Sequence, residues 1–305
     1  MVRPEAAALI DTLLHHHDEP FGDSSALPTY LVAREARREV TVALNGDGGD
    51  ETFAGYDRFR AMLAAERLPR VLLWYARQLS RFLPQRGGPH TLLRRLRRFA
   101  QKAALPRLER MLAWSSFFDL EMLRRLDGSG AFDAERILGS YRQALEAQPG
   151  ASMLSRILYL NARTYLLDDL LPKMDRMTMA HGLEARSPLL DRALIEYVAG
   201  LPDGLKRRGS QGKLVLKQAV ADLLPKQILV RPKQGFGVPL GDWFRGELRP
   251  LVEDTLLATP RLARWLRLDA VRALFAEHLS GRSDHGHQLW TLLTLELWLR
   301  KHRFG

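Results

Sequence analysis

Over residues 152–171 apolar side chains return every three or four positions. Met153, Ile157, Leu160, Thr164, Leu167 and Leu171 fall on one face, the stripe of a helix packed on one side. Pro172 follows and is expected to interrupt it, since proline lacks the N–H and clashes with the preceding turn. A second helix should then end near Gly182, and Asp191 is placed to cap a third that ends near Gly200. Similar spacing predicts helices over residues 213–224 and 288–302. Near the start, "DSSALPTYLVAREARRE" reads as a helix, with a serine to cap it, Pro28 in the first turn, and Leu27, Leu31 and Arg34 in step. The stretch 127–150 is less regular, and 69–110 is helical with a break at "PQRGGP".

Strand signals are scarce. "VTVAL", residues 40–44, is short, apolar and β-branched, which suits a strand buried on both faces. "ILV", residues 228–230, is a weaker second. A buried parallel strand needs neighbours for its backbone groups, so either further strands of this chain escape the pattern or the partners belong to residues it does not contain. The pattern therefore gives an α/β chain that is predominantly helical, in three segments: a helix–strand–loop–helix unit (1–65), a basic helical segment (66–150) and a further helical segment (151–305).

The chemistry gathers where that strand ends. "NGDGGDE", residues 45–51, places Gly46, Gly48 and Gly49 among Asp47, Asp50 and Glu51, with residues 51–63 helical beyond. Successive glycines can turn their N–H groups inward as an anion-binding nest, and ligands of open α/β sheets bind beyond the carboxyl ends of strands. Asp47 and Asp50 are three positions apart and can address one ligand; hard oxygen donors beside phosphate suit Mg²⁺. The plain alternative is a turn with Asp50 as helix N-cap.

A second cluster, "YLLDDLLPKMDRMTMAHGLEARSPLLD", residues 165–191, packs Asp168, Asp169, Lys173, Asp175, Arg176, Glu184 and Arg186 among leucines and methionines. Charges so placed should be paired or at a site, and the residues alone favour an internal ion-pair network. In "GSQGKLVLKQAV" Gly212 precedes Lys213, as in a loop that carries a lysine to an anion. His15, His16 and His17 are consecutive and diverge, and "DHGH" has no distant partner, so no structural metal is expected.

Composition narrows the choices. With 305 residues and 46% hydrophobic, the chain can bury a sizeable core. It has no cysteine, which removes disulfides, thiolate metal sites and a cysteine nucleophile. No signal peptide or membrane span is expected, and the reading is of a cytoplasmic protein. The net charge of +11 is uneven: residues 66–110 hold eleven Arg, one Lys and two acids. Such a tract can bind nucleic acid or another polyanion. Leu92, Leu96, Phe99 and Ala103 at helical spacing, with Arg94, Arg95, Arg97 and Arg98 between them, also describe a half-buried helix with a basic outer face. The second reading is preferred, and nucleic acid is not expected as the partner.

Four blocks, in order and spacing, resemble the synthetase domain of glutamine-dependent asparagine synthetases: "DEPFGDSSALPTYLVAR", "LNGDGGDETFAGYDRF", the 165–191 cluster and "RPKQGFGVPLGDW". The resemblance covers roughly residues 18–59 and 152–244. It implies the C-terminal part of an adenine-nucleotide alpha hydrolase-like domain, which activates a carboxylate as an acyl-adenylate and lets ammonia displace AMP. By resemblance Asp50 would hold Mg²⁺ on pyrophosphate and Asp47 would act near the attacking amine. Gly46, Gly48 and Gly49 would line the phosphates of ATP, and Lys213 would meet pyrophosphate or developing charge. Asp175, Arg176, Glu184 and Arg186 would shape the pocket for a small carboxylate, aspartate being the first candidate.

The family's Ser-Gly-Gly-x-Asp-Ser loop and its glutaminase domain do not occur in these residues. In the family's order both come earlier. The chain is thus expected to be a C-terminal portion, incomplete alone, whose ammonia comes from a glutaminase domain or subunit elsewhere. A complementing upstream fragment or a homo-oligomer would cover the lone strand. The other readings are a non-catalytic remnant or partner subunit, and a polyanion-binding protein.

Overall fold

The computed structural model describes residues 6–80, 82, 92–231 and 235–302. The break expected at "PQRGGP" and part of "RPKQGFGVPLGDW" lie outside the described residues.

Helices α1 (Ala6–His17) and α2 (Ala26–Ala36) open the chain. Their leucines enter a core built largely from the other end: Ile10, Leu14, Leu27 and Leu31 join Met177, Phe244, Val252, Leu274, Trp290 and Leu293. Ser25 does precede α2, but its side chain makes no cap; its hydroxyl and amide both bond Asp23 instead.

The strand follows as β1 (Val42–Leu44). Its expected burial is not found: Val42 is 39% and Leu44 74% exposed. The reason is its single partner. Among the described residues β1 pairs in parallel only with β2 (Glu184–Arg186), in the register Val42↔Glu184 and Leu44↔Arg186. β2 escapes a reading by pattern because "EAR" has no apolar alternation, and pairing rather than propensity makes it a strand.

After β1 come α3 (Gly49–Thr52) and α4 (Asp57–Arg67), so the helix expected over 51–63 is split at the turn around Ala54 and Gly55. The basic segment forms α5 (Arg70–Ser80) and α6 (Leu92–Ala103), packed on each other. Only the end of α6 is buried as expected, through Ala100 and Ala103, with Phe99 stacked 6.2 Å from Trp114; Leu92 and Leu96 are exposed. Helices α7 (Arg107–Ser115), α8 (Leu120–Leu126) and α9 (Ala134–Glu146) follow. α9 corrects the irregular reading of 127–150. Asp133 caps it by accepting from the Glu135 and Arg136 amides, and Leu138, Tyr141 and Leu145 enter a second core with Phe59, Met62, Met111, Leu154, Ile157 and Leu160.

Ser152 caps α10 (Met153–Asn161) as its hydroxyl accepts from the Ser155 amide at 3.1 Å. Pro172, however, does not stop the run. A π-helical segment, Ala162–Leu170, leads directly into α11 (Leu171–Met179). The Leu171 amide closes the wider turn onto the Leu166 carbonyl. Pro172 then lies at the start of the next α segment, where its missing N–H costs little.

Asp191 caps α12 (Arg192–Gly200) through the Leu194 amide, as expected. Then come α13 (Asp203–Lys206), a hairpin of β3 (Arg207–Arg208) and β4 (Gln211–Gly212), and α14 (Leu214–Ala219). "ILV" is helical, in α15 (Lys226–Val230), which starts after Pro225 and, among the described residues, has no strand beside it. Helices α16 (Leu240–Arg245), α17 (Arg249–Val252), α18 (Leu268–Leu279) and α19 (Gly286–Lys301) complete the first core. Among the described residues no helix is long and apolar enough to cross a membrane.

Candidate active site

The site begins where β1 hands over to the glycine loop. The Asn45 amide donates to the Arg186 carbonyl, continuing the parallel pairing by one residue. The Asn45 side-chain oxygen then accepts from the Asp47 amide at 3.0 Å and the Ser187 hydroxyl at 2.8 Å. Those two bonds fix the loop on the segment after β2.

The three glycines are used differently. Gly48 is left-handed, with φ of 88°, and a Cβ there would come within 2.3 Å of Leu190. A Cβ on Gly49 would stand 3.0 Å from Leu189. Both are thus tied to packing on the turn at residues 188–190. Gly46 is different: among the described residues a Cβ there would meet nothing within 4 Å, so its bare backbone faces open space between them.

Asp50 does not cap a helix. Gly48 is the N-cap of α3, and the Asp50 carboxylate instead meets the Lys213 ammonium at 3.0 Å. Lys213 reaches it from the hairpin side. Its amide donates to the Phe53 carbonyl at 2.9 Å, and its backbone is left-handed, with φ of 57°. A non-glycine residue held there is strained, and such strain gathers at functional sites. Gly55 makes room for the pair: a Cβ would approach Asp50 Oδ1 to 2.0 Å and Lys213 Cε to 2.4 Å.

The four residues expected to shape a pocket are scattered. Glu184 and Arg186 lie on β2 beside the loop, exposed and bonded to each other at 2.7 Å. Asp175 is exposed on α11, and the Arg176 guanidinium is committed to the His17 carbonyl of α1. The structure thus joins Asp50 to Lys213 and sets the Asp47 loop alongside, but it does not gather Asp175 and Arg176 with them.

Further polar groups join the site; Glu51, Asp169 and Lys173 were named from the sequence, whereas Tyr56, Arg58 and Asn161 were not. Glu51, buried beside Asp50, accepts from the Tyr56 hydroxyl. Burial and the Glu51 charge raise the Tyr56 phenol above its ordinary value. The Arg58 guanidinium lies between the rings of Tyr56 and Tyr165, 4.3 and 4.2 Å from their centres, and donates to Asn161 at 2.6 Å. Farther along, Lys173 bridges from α11 to Asp23 at 2.7 Å and to Ser25 at 2.8 Å. Burial alone would lift Asp23, but the Lys173 ammonium and the Ser25 bonds hold it low. Burial, reinforced by the Asp23 carboxylate, pushes Asp169 up to about 7. Asp23 and Ser25 lie in a quoted block, which was a usable signal; the partnership with Lys173 was not.

Among the described residues no three His, Asp or Glu side chains form a metal cage. Mg²⁺ carried on nucleotide phosphates needs only one or two protein carboxylates. Asp50 and Asp47, with open space at Gly46, fit that requirement; they do not fit a resident metal held by protein alone.

A family model described as asparagine synthase matches residues 1–300. Asparagine synthetase [glutamine-hydrolyzing] 1 of Bacillus subtilis is 29% identical over 293 residues, covering 94% of this chain and 44% of that protein. A putative asparagine synthetase [glutamine-hydrolyzing] of Mycobacterium tuberculosis is 32% identical over 299 residues, covering 96% and 44%. A stretch of 48 residues is 60% identical to a putative asparagine synthetase [glutamine-hydrolyzing] 2 of Methanocaldococcus jannaschii, 16% of this chain and 9% of that one. The chain therefore spans less than half the length of the first two relatives.

Proposed function

Because the chain belongs to the asparagine synthase family, we propose that it carries the pyrophosphate side of an ATP-dependent, amide-forming ligase. In this reading a substrate carboxylate oxygen attacks the α-phosphorus of ATP and pyrophosphate leaves. Ammonia then attacks the acyl carbon, and AMP leaves as the amide forms. The observation that carries the proposal is the Asp50–Lys213 pair at the loop whose Gly46 would bring an added Cβ within 4 Å of no described atom.

Each residue has a distinct part. Lys213 moves its charge from Asp50 to the departing pyrophosphate, where a fixed cation stabilises charge as it develops. Asp50 would hold Mg²⁺, which neutralises the phosphate oxygens when bound. Gly46 admits the phosphates closely, and Gly48 and Gly49 set the loop's path. Asp47 takes a proton from the attacking amine. Glu184 and Arg186 border the acceptor pocket; Asp175 and Arg176, set apart on α11, are left without a part in it. Aspartate is the first acceptor to try.

The relatives' names include glutamine hydrolysis, and this chain has no cysteine nucleophile. Ammonia is accordingly supplied by a glutaminase domain or subunit outside these residues. The exposed faces of β1 support a second element of the reading, a complementing polypeptide that adds strands there. The deciding assay is carboxylate-dependent exchange of labelled pyrophosphate into ATP, with the upstream polypeptide supplied in trans. Exchange that is lost in Asp50→Asn is expected. No exchange with aspartate or any of a panel of small carboxylates, from a folded complex, would overturn the proposal.

A further inference from the structure

Lys213 is carried by a two-residue hairpin, and short hairpins are floppy unless something clamps them. The clamp is visible. Arg207, at the base of β3, is 7% exposed. Its Nη1 donates to the Ala54 carbonyl at 2.8 Å and the Tyr56 carbonyl at 3.2 Å. Among the described residues no carboxylate bonds it, although burying a guanidinium without one is costly.

The two carbonyls belong to the turn between α3 and α4, the turn that also shapes the site. Ala54 there is left-handed, with φ of 57°. The Lys213 amide bonds Phe53, one residue before. Opposite Arg207 in the hairpin register stands Gly212. A Cβ on Gly212 would come within 2.4 Å of the Ala54 carbonyl oxygen and 3.1 Å of Gly55 Cα. Hairpin and turn are thus in direct backbone contact, with Arg207 bonding across the seam. Of the three non-glycine residues with positive φ among the described residues, two, Ala54 and Lys213, flank this seam.

We propose that Arg207 is a positioning residue: by bonding the 53–56 turn it locks the hairpin in place and aims the Lys213 ammonium at Asp50. The claim rests on the ligase reading only for its purpose. The latch itself is a property of the folded chain. With the latch closed, the left-handed Lys213 backbone is held and its side chain has a short route to the loop. With Arg207 gone, the Phe53 bond and the Gly212 contact alone must hold the hairpin, and Lys213 swings away into solvent.

The test needs neither ATP nor an acceptor. On the full 305-residue chain, lysine amines are acetylated competitively and each site is read by mass spectrometry, with amide exchange of the Lys213 N–H followed in parallel. In Arg207→Met, Lys213 is expected to label about tenfold faster and its amide to lose about tenfold protection, the size of a local opening. Lys173 and Lys301, outside the latch, keep their parental rates. Arg207→Lys, which retains a cation able to reach one carbonyl, is expected to recover part of the effect. Unchanged Lys213 labelling in folded Arg207→Met would overturn the proposal. So would equal acceleration at Lys173 and Lys301, which would make Arg207 a filler of the core. If Arg207→Met does not fold, Arg207→Lys carries the decision, and parental labelling of Lys213 in it overturns the latch. A failed pyrophosphate exchange with an intact labelling result would instead count against the ligase reading alone.

Discussion

Two glycines of the site lend themselves to opposite outcomes. Neither Gly46 nor Gly55 has a positive φ, so alanine fits the backbone at both, and only the surroundings decide. At Gly46 the new methyl meets nothing within 4 Å among the described residues. Gly46→Ala should leave stability unchanged or raise it by up to about 1 kcal/mol, because the unfolded chain loses freedom. At Gly55 the methyl would sit 2.0 Å from Asp50 Oδ1 and 2.4 Å from Lys213 Cε. Both atoms must retreat by more than an ångström. The pair is partly exposed and worth about 0–1 kcal/mol; with the crowding, Gly55→Ala should cost about 1–3 kcal/mol.

Function should not follow this order of harm. If phosphates approach the loop at Gly46, the methyl stands in their path, and misplacing reactants by an ångström costs about a hundredfold in rate. Gly46→Ala is therefore expected to melt like the parent yet lose about a hundredfold or more in pyrophosphate exchange. Gly55→Ala is expected to lose both stability and exchange. The assay pair is chemical denaturation of the chain and exchange by the complemented protein. Exchange within about threefold of the parent in Gly46→Ala, against that hundredfold, would refute the assignment of Gly46 to phosphate.

Other expectations follow from the same geometry. Asp50→Asn should impair exchange and amide synthesis alike, whereas Asp47→Asn should spare exchange and slow amide synthesis; identical profiles for the two variants would mean that the roles are misassigned. Burial, helped by the Arg176 charge, lowers His17 from 6.5 to about 4. The unfolded chain then holds the extra proton between those values, so this contribution is complete above pH 6.5 and falls by about 3 kcal/mol towards pH 4, at about 1.4 kcal/mol per pH unit. Asp169 acts in the opposite sense, so the difference between denaturation curves of the parent and His17→Gln is the quantity to measure, and a flat difference from pH 7 to 4 contradicts the argument. The arginine-rich segment is expected to give no gel shift with DNA or RNA at moderate salt; binding that falls steeply as salt rises would restore the polyanion reading. Finally, the bared β1 should make the chain associate in light scattering, and an upstream polypeptide bearing strands should reverse this; a monomer that binds ATP tightly unaided goes against it.

Legibility followed the range of the interactions. Helices fixed by local periodicity and a capping side chain, such as those begun by Ser152 and Asp191, could be read directly. So could the glycine loop at the end of β1, since its composition is itself the signal. β2 could not: "EAR" becomes a strand only because residues 42–44 lie beside it. α9 was hidden because Gly139 and Ser140 blur a stripe that Asp133 nonetheless starts. Pro172 misled because the expectation assumed α geometry throughout, and the π segment shifts the bonding so that the proline falls where its N–H is not required.

The site shows the same division at finer scale. Asp50 was marked by its loop and Lys213 by the glycine before it, but neither stretch states that the two meet at 3.0 Å. The meeting is set by groups that carry no charge of their own: the Phe53 and Ala54 carbonyls, and the missing side chains of Gly55 and Gly212. Arg207 reads in the sequence as one more member of a basic run. Its burial changes its meaning, since a guanidinium removed from water must bond whatever carbonyls it faces. Here those carbonyls belong to the turn on which Lys213 is hung. Backbone contacts between remote segments, more than the charged residues that drew attention first, decide where the lysine points.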